Sequence, residues 1–480
     1  MHVRGGGREE PRIALLSDFE KAGQQGDGIA DIDADNTPGR PGRRPVLQRS
    51  PHPETFKLNH PRLRVVNRAL QPVFYIILCL LAILCLANVP IVAKNIIEWR
   101  KELKSSNRRV SFVPAVVVVP RSTEHIQAAV SCGNENNVRV TAKGGGHSFG
   151  SFGLGGENGH LVLSMDRMRP LLTEVAPGMK LVIANGSVIH CSQSQNSDLF
   201  WALRGAGSSF GIVSELEFNT IEAPKDIVHF SIRPYWDQQA AVKGIKGLQE
   251  FIKLAPKELN LMLIMYGHSQ ILECLYFGHQ AGLERLVTPL LQSIGAPRPI
   301  MAKLEWMRAL EHFAYGEALA QTDPASRSQS FYATSAFTKA LGEAQVETLM
   351  SKMFAHFTNP HNIIYTLELY GGQTSAVRNV ENLATSFSHR AKLLLHQLRI
   401  QVPDNDSHSL EKYSLIESFR DSVTHLNPEG DWGMYANYLD TELDSEVAQK
   451  LYWGDSLPRL RSIKAEFNPN DLFWNPQGVR

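Results

Sequence analysis

The stretch TAKGGGHSFGSFGLGGENGHLVL (residues 141–163) is the most informative part of this 480-residue chain. Three consecutive glycines follow a strand-like segment. Because glycine leaves backbone N–H groups unshielded, such a loop can wrap a phosphate or pyrophosphate. A glycine-rich motif alone is a weak signal, and a solvent-exposed loop with an incidental histidine explains it equally well. The loop therefore predicts nucleotide binding only if other segments agree.

The common nucleotide-binding motifs do not match this loop. A Walker A loop needs Gly-Lys-Ser/Thr opening a helix, and a Rossmann fingerprint needs GxGxxG between a strand and a helix. Residues 146–150 do match GxSxG, the nucleophile elbow of serine hydrolases, with Ser148 as nucleophile. An elbow requires a helix after the serine, but a glycine-rich stretch follows, and each glycine costs a helix about 1 kcal/mol. A serine hydrolase centred on Ser148 is therefore the weaker alternative.

The segments around the loop have the pattern of an α/β domain. PAVVVVP (114–120) has the β-branched run of a buried strand, and Ser122 can cap a helix that extends through Val130. VRVTAK (138–143) is a second strand, so the three elements predict the start of a βαβ unit. Residues 212–218 alternate apolar and polar side chains, which indicates another strand.

The N-terminal part has a different composition. Residues 1–70 are rich in Gly, Pro, Asp and Arg without an apolar period, so we expect a disordered tail. The uncharged run VFYIILCLLAILCLANVPIVA then begins at Val73, and its 21 residues suffice to cross a hydrocarbon core of roughly 30 Å. A buried core helix would normally show a polar face, and this run has none. We predict one transmembrane helix over residues 73–95.

Composition excludes few classes of protein. Lys plus Arg number 49 against 48 Asp plus Glu, and no basic stripe with interleaved aromatics stands out, so we expect no nucleic-acid partner. The five cysteines form no CxxC pair and no zinc-like spacing, so no metal site is expected.

Four segments in order resemble one family. They are residues 141–168, NSDLFWALRGAGSSFGIVSELEF (196–218), MYANYLDTEL (434–443) and YWGDSLPRLRSIKAEFNPNDLFWNPQGV (452–479). Together they resemble the vanillyl-alcohol-oxidase superfamily, and within it the berberine-bridge-enzyme-like and glucooligosaccharide oxidases. The resemblance spans roughly residues 109–479.

This resemblance implies an α+β fold of two domains. Residues 109–224 would form a PCMH-type FAD-binding domain, and residues 225–425 a mixed α/β substrate domain. Residues 426–480 would be a berberine-bridge-like module that returns to complete the FAD-binding domain.

The resemblance also implies FAD as cofactor, bonded covalently through His147. An imidazole suits this bond because one neutral nitrogen can attack an electrophilic methylene while the other holds the ring in place. The residues implied to contact the cofactor are Gly144, Gly145, Gly146, His147, Ser148, Gly150, Gly205, Gly207, Gly211 and Ile212.

Three further residues are implied by the family's sugar oxidases. Tyr438 would accept the substrate's hydroxyl proton, and Glu368 would serve as its proton acceptor, because a free tyrosine is a poor base at neutral pH. Gln397 would bind a sugar hydroxyl. The ordinary alternatives are a core aromatic, a surface charge and an exposed strand residue, respectively.

The chain departs from the family in two places. Phe149 stands where the sugar oxidases usually have tyrosine. In addition, the chain lacks several dozen residues after about position 173, where relatives carry a glycine-rich loop and, in doubly linked members, a second cysteine bond to the flavin. We expect no second link here. A catalytically inactive, membrane-tethered remnant of the family is therefore an alternative.

The leading hypothesis is an FAD-dependent oxidase. It would transfer a hydride from an alcohol carbon of a small molecule, such as the anomeric carbon of an oligosaccharide, to flavin and then to O2. Because the relatives are secreted, we expect a single-pass membrane protein whose catalytic part is lumenal or extracellular.

Overall fold

The computed structural model describes residues 91–92, 97–168, 171–173, 177–267, 269–314, 328–356, 363–403, 406–428 and 430–480. The tail predicted to be disordered and most of the run predicted to cross a membrane lie outside these residues.

The end of the run predicted to be a membrane helix is a β-strand instead. Strand β1 (Ile91–Val92) pairs antiparallel with β2 (Val116–Val118). Both residues of β1 are β-branched and fit the edge of a sheet. The prediction of a membrane helix that continues to residue 95 is therefore wrong. Among the residues described, no helix combines the length and the apolar character that a membrane span requires.

The first sheet carries the glycine loop. Its strand order is β1-β2-β4-β3, and both β2 and β3 run parallel to β4, as in a βαβ arrangement. The elements after β1 are α1 (Ile97–Glu102), β2, α2 (Thr123–Glu135), β3 (Val140–Lys143) and β4 (Leu161–Ser164). Helix α2 continues beyond the predicted end at Val130 because Cys132 and Gly133 are buried as well.

A second four-stranded sheet has the order β5-β8-β6-β7. Its elements are β5 (Leu171–Thr173), β6 (Gly178–Val182), β7 (Val188–Ser192), α3 (Ser197–Ala206) and β8 (Ile212–Phe218). The bounds of β8 coincide with the alternating segment in the sequence. We call these two sheets and their helices the first domain.

The second domain is a seven-stranded antiparallel sheet covered by helices. The strand order is β12-β9-β11-β10-β14-β15-β13. Its strands are β9 (Ile227–Ile232), β10 (Leu259–Tyr266), β11 (Ser269–Phe277), β12 (Ala302–Leu304), β13 (Phe331–Thr338), β14 (Ile363–Leu369) and β15 (Leu394–Gln401). Its helices are α4 (Gln238–Leu254), α5 (Gln280–Ser293), α6 (Trp306–Phe313), α7 (Glu343–His356) and α8 (Ser409–Thr424).

The two faces of this sheet have different surroundings. Residues such as Leu263 and Leu367, which are paired across β10 and β14, join one large apolar core with α4, α5, α7 and α8. Side chains alternate along a strand, so Glu368 and its neighbours point to the opposite face. We call this second surface the open face, and it is turned toward the first domain.

The C-terminal segment returns to the first domain. Helices α9 (Ser445–Trp453) and α10 (Leu457–Phe467) follow the second domain. Their buried residues Trp453 and Leu460 share one apolar cluster with Leu181 and Trp201. The first domain is thus built from both ends of the folded chain, which confirms the two-domain α+β architecture.

Asn107 joins the two domains beside the glycine loop. Its side-chain amide donates to the carbonyl of Phe149 at 2.7 Å and to that of Phe331 at 3.0 Å. Asn107 is almost fully buried, so these bonds are protected from competing water. The loop is therefore fixed relative to the open face.

Candidate active site

The glycine loop begins directly after β3 and turns sharply. Lys143 is buried, and its Nζ donates to the carbonyl of Glu102 at 2.8 Å, which ties the start of the loop to α1. Gly146 has a φ of +73°, a conformation that favours glycine. A Cβ added at Gly144 would meet no atom within 4 Å, so the backbone there borders open space.

A cavity of about 640 Å³ lies in front of this loop. Its walls are the glycine loop, the turn between α3 and β8, residues 436–439 and residues 474–478. It is lined by every residue predicted to contact the cofactor except Gly150. Its volume falls within the range of about 300–1,000 Å³ typical of ligand and cofactor sites. Segments distant in sequence therefore meet around one cofactor-sized space.

The glycines of the site have two different roles. At Gly207 an added Cβ would meet only Leu203, at 3.9 Å, so this position borders the cavity as Gly144 does. A Cβ at Gly205 would lie 2.3 Å from Ser386 Oγ, and one at Gly211 would lie 2.9 Å from the carbonyl oxygen of Val182. These two positions need glycine because the chain packs closely behind the cavity wall.

Gly150 and Ser148 belong to the turn that ends the loop. A Cβ at Gly150 would come within 2.7 Å of the Phe152 ring, which explains the glycine without any cofactor. Ser148 Oγ accepts a hydrogen bond from the backbone N–H of Phe152 at 3.2 Å. A short 3₁₀ turn follows (Phe152–Leu154), not the helix that a nucleophile elbow requires. This geometry disfavours the hydrolase alternative.

Tyr438 and Glu368 meet at the edge of the cavity. The Tyr438 hydroxyl donates to Glu368 Oε1 at 3.2 Å, and Tyr438 itself lines the cavity. Burial raises the pKa of Glu368 above its usual value, although the hydrogen bond from Tyr438 works against this shift. The pair therefore combines a phenol with a carboxylate that readily takes a proton, a suitable arrangement for general base chemistry.

Tyr438 is held through both its ring and its backbone. Phe149 stacks on it, with ring centroids 5.4 Å apart and an angle of 12° between the planes. Ser335 Oγ donates to the Tyr438 carbonyl at 3.0 Å and accepts from the Tyr435 N–H at 3.0 Å. Phe149 thus supplies a stacking surface next to Tyr438.

The predicted sugar-binding residue Gln397 and its neighbour His396 lie on opposite faces of the sheet. Gln397 lies on the open face, opposite Thr366 on β14 and Ser335 on β13. His396 points into the helical core, where it bonds Thr338 and Tyr365, and burial lowers its pKa to about 3. His396 is therefore not available as a base in the cavity.

Several cavity residues carry no local sequence signal. Trp453, Trp474 and Asn475 line the cavity, and the carbonyl of Gly205 accepts a hydrogen bond from the Trp453 indole at 3.1 Å. Only the match to the C-terminal module could have indicated them. The three cysteines in the described part of the chain, Cys132, Cys191 and Cys274, are buried in apolar cores and do not line the cavity.

Comparisons with known proteins agree with this site. A family model described as "FAD binding domain" matches residues 114–211, and one described as "Berberine and berberine like" matches residues 434–480. The chain is 32% identical to a chitooligosaccharide oxidase of Gibberella zeae, over 82% of this chain and 93% of that protein. It is also 32% identical to a xylooligosaccharide oxidase of Thermothelomyces thermophilus, over 82% and 93%.

Solved structures share the whole architecture. A structure titled "Structure of FgChi7B" superposes with a TM-score of 0.80 at 37% identity, covering 84% of this chain and 99% of that one. A glucooligosaccharide oxidase of Acremonium strictum superposes with a TM-score of 0.78 at 30% identity, covering 84% and 98%.

The fold and the cavity together define an FAD-dependent oxidoreductase. The chain belongs to the berberine-bridge-enzyme-like, FAD-linked oxidases of the vanillyl-alcohol-oxidase superfamily. The residues present fit the cofactor, since the open glycine backbone and the cavity walls leave space for it. Residues 144–147, 205–208 and 474–475 would hold FAD there.

The chain is shorter than its relatives within the shared region. The alignment to the chitooligosaccharide oxidase runs over 460 residues but takes in only 82% of this 480-residue chain, so several dozen positions of that relative have no counterpart. The sequence predicts this gap after about residue 173, where the chain passes from β5 to β6, and that position stays a prediction.

Proposed function

We propose that the protein is an FAD-dependent oxidase of carbohydrates, acting at an alcohol carbon such as the anomeric carbon of an oligosaccharide, with O2 as final electron acceptor. The observation that carries this proposal is the 3.2 Å hydrogen bond from Tyr438 to Glu368 at the edge of the FAD cavity. The names of relatives that oxidise chitooligosaccharides and xylooligosaccharides support a sugar substrate.

Proton removal is the task of the chain's own residues. FAD, when bound, supplies a hydride acceptor that is reoxidised by O2. Tyr438 accepts the proton of the substrate hydroxyl as its own proton passes to Glu368, so the buried pair does not accumulate a second negative charge. Gln397, on the open face and three residues after the start of β15, binds a neighbouring sugar hydroxyl.

His147 attaches the flavin covalently in this proposal. The side chain is exposed in the cavity wall, so it can reach a bound ring. A structure of the Acremonium strictum glucooligosaccharide oxidase is titled for a 6-S-cysteinyl, 8α-N1-histidyl FAD. The three described cysteines are buried away from the cavity, so none of them offers a second bond to the flavin.

An absorption spectrum of the purified protein tests the proposal. We expect yellow protein that stays yellow after acid precipitation and is bleached anaerobically by an oligosaccharide. Colourless protein would contradict the oxidase and support the inactive remnant of the family. Yellow protein that no sugar bleaches would support flavin binding but contradict a carbohydrate substrate.

The rate of flavin reduction should depend on the protonation of Glu368. Only the ionised carboxylate can take the proton from Tyr438, and burial raises its pKa above the ordinary 4.5. The rate should therefore fall as the pH decreases through this raised pKa, at a pH above 4.5. Glu368→Gln should lower the rate about 10²-fold or more and remove this acidic limb. Anaerobic stopped-flow measurements across pH check both expectations, and an unchanged limb in the variant would assign it to another group.

We also propose a membrane-anchored protein with its catalytic part on the lumenal or extracellular side. The uncharged residues 73–90 would form the anchor, and the folded part would begin at the membrane surface with β1. Protease added outside intact cells should then degrade the catalytic part and spare the N-terminal tail. The reverse pattern would invert the orientation.

Glycosylation of Asn185 provides an independent measure of this orientation. Asn185-Gly-Ser is a glycosylation sequon, and Asn185 is exposed in the tight turn between β6 and β7. In a eukaryotic host we expect a glycan there, seen as a mobility shift after glycosidase treatment. Ser187→Ala should abolish the shift at this site. The second sequon, at Asn405, lies outside the described residues. Asn405 is replaced both in the Ser187→Ala variant and in the protein that it is compared with, so that the shift reports Asn185 alone.

A further inference from the structure

Two histidines and a glutamate converge at the edge of the second domain, away from the flavin cavity. His229 lies on β9, Glu273 on the adjacent strand β11 and His312 in the last turn of α6. All three side chains are at most 8% exposed. Three ionisable groups are thus buried together, and burying such groups is costly unless they pair or bind an ion.

Both imidazoles point at one carboxylate oxygen. Nε2 of His229 and Nε2 of His312 each contact Glu273 Oε1, the latter at 2.7 Å. The two rings lie 4.0 Å apart between centroids, and the three candidate ligand atoms all lie within 4.8 Å of one another. Without an ion, both histidines can donate to this oxygen, which has two lone pairs. The same convergence places two imidazole nitrogens and a carboxylate oxygen around one point, and these are atoms that bind metal ions.

The ligand set matches a known class of metal site. Two imidazole nitrogens and one carboxylate oxygen bind zinc in sites that leave a fourth position for water. Imidazole ligands favour zinc, copper, iron or nickel over magnesium and calcium, which prefer oxygen alone. The chemistry of the three side chains therefore selects a transition metal.

The strands and the helix that supply the ligands suggest what the ion does. Ala309 is the one apolar residue of helix α6 that is fully buried, while Trp306, Leu310 and Phe313 are each 37% exposed. Apolar packing therefore holds α6 on the sheet only in part, with the Trp306 ring 6.4 Å from that of Phe277 on β11. A metal bond to His312 would fasten the helix to the sheet through two neighbouring strands.

We propose that His229, Glu273 and His312 form a three-ligand site for a divalent transition metal of the zinc class, with the fourth position left to water. The ion links α6 to the open face of the sheet. Glu273 lies opposite Met262, and Met262 lies opposite Glu368. The site is thus two strands, or roughly 10 Å, from the proposed proton acceptor. It lies beside the substrate surface and is independent of the flavin chemistry.

Zinc retention by the flavin-loaded, full-length protein tests the site. Protein stripped with a chelator, incubated with excess ZnCl2 and desalted should retain about one zinc ion per chain, and its Tm should rise by several degrees. Glu273→Gln and His312→Gln should each lose the retained zinc and the rise in Tm. His279→Gln is the matched control, because His279 is also a histidine of the second domain but its side chain is 84% exposed.

Cobalt provides a measurement that does not depend on the variants being stable. In stripped wild-type protein, Co²⁺ should give the visible absorption bands of a four-coordinate site, and added zinc should remove them. If wild-type protein retains no zinc and shows no cobalt bands, the site does not bind metal. Retention that is equal in wild type and Glu273→Gln would also overturn the proposal. Flavin content should be unchanged throughout, so failure here leaves the proposed oxidase function intact.

Discussion

Replacement of Tyr438 by phenylalanine should lower the rate at which substrate reduces the flavin by about 10²–10⁴-fold, with little change in substrate Kd. The variant keeps the ring, so its stacking on Phe149, with a 12° angle between the planes, is preserved. It loses only the hydroxyl that donates to Glu368. A general base acts in the transition state, so its loss affects the chemical step and leaves substrate binding nearly unchanged.

The measurement is anaerobic stopped-flow reduction with a panel of chito-, xylo- and glucooligosaccharides. Tyr413→Phe is a matched control, because this variant also removes one tyrosine hydroxyl. The Tyr413 hydroxyl lies outside the cavity and accepts a hydrogen bond from Arg109 at 3.0 Å. We expect the control to reduce flavin at the wild-type rate. Equal rates in wild type and Tyr438→Phe would dismiss Tyr438 as the base.

Sequence patterns predict a strand well where apolar and polar residues alternate along it. The alternation of residues 212–218 gives strand β8 with the same bounds, and its first half is covered at Ile212 and Ser214, whereas Leu216 and Phe218 on the same side are exposed. Local periodicity therefore predicts this strand, while tertiary burial agrees with it only in the first half.

The run 73–95 shows where a prediction from length and lack of charge fails. A long uncharged segment indicates a membrane helix, yet Ile91 and Val92 pair with β2. An apolar residue suits a lipid environment and a sheet edge equally, and only the presence of Val117 and Val118 as partners decides between them. Composition alone does not contain that information.

Local sequence patterns also could not predict which side chains from distant positions meet in the fold. The Tyr438–Glu368 pair was predicted only through the family resemblance, because 70 residues separate the two. The cluster of His229, Glu273 and His312 has no such resemblance behind it, and its members lie 44 and 39 residues apart. Metal-ligand motifs are recognised by short spacings, so no motif in the sequence indicates this cluster.

Replacement of His147 by alanine should abolish covalent attachment of the flavin completely. His147 is exposed in the wall of the FAD cavity, directly after a glycine whose φ of +73° turns the chain. The buried cysteines of the described chain offer no second bond, since burial raises the pKa of the Cys191 thiol to about 12 and the reactive thiolate is disfavoured. No other side chain of the loop is a nucleophile of the family's kind.

Mass spectrometry of the tryptic peptide 144–167 gives the clearest measurement for His147→Ala. In wild type we expect this peptide to carry the added mass of FAD, and in the variant the unmodified mass. His190→Ala is the matched control, because His190 pairs with Glu217 on the second sheet, outside the cavity, and its loss should leave the flavin attached. Flavin on the variant's peptide would assign the bond to another residue. Unmodified peptide in both wild type and His147→Ala, with no flavin bound, would favour the inactive remnant of the family. The several dozen positions missing from the chain would then include a necessary part of the cofactor site.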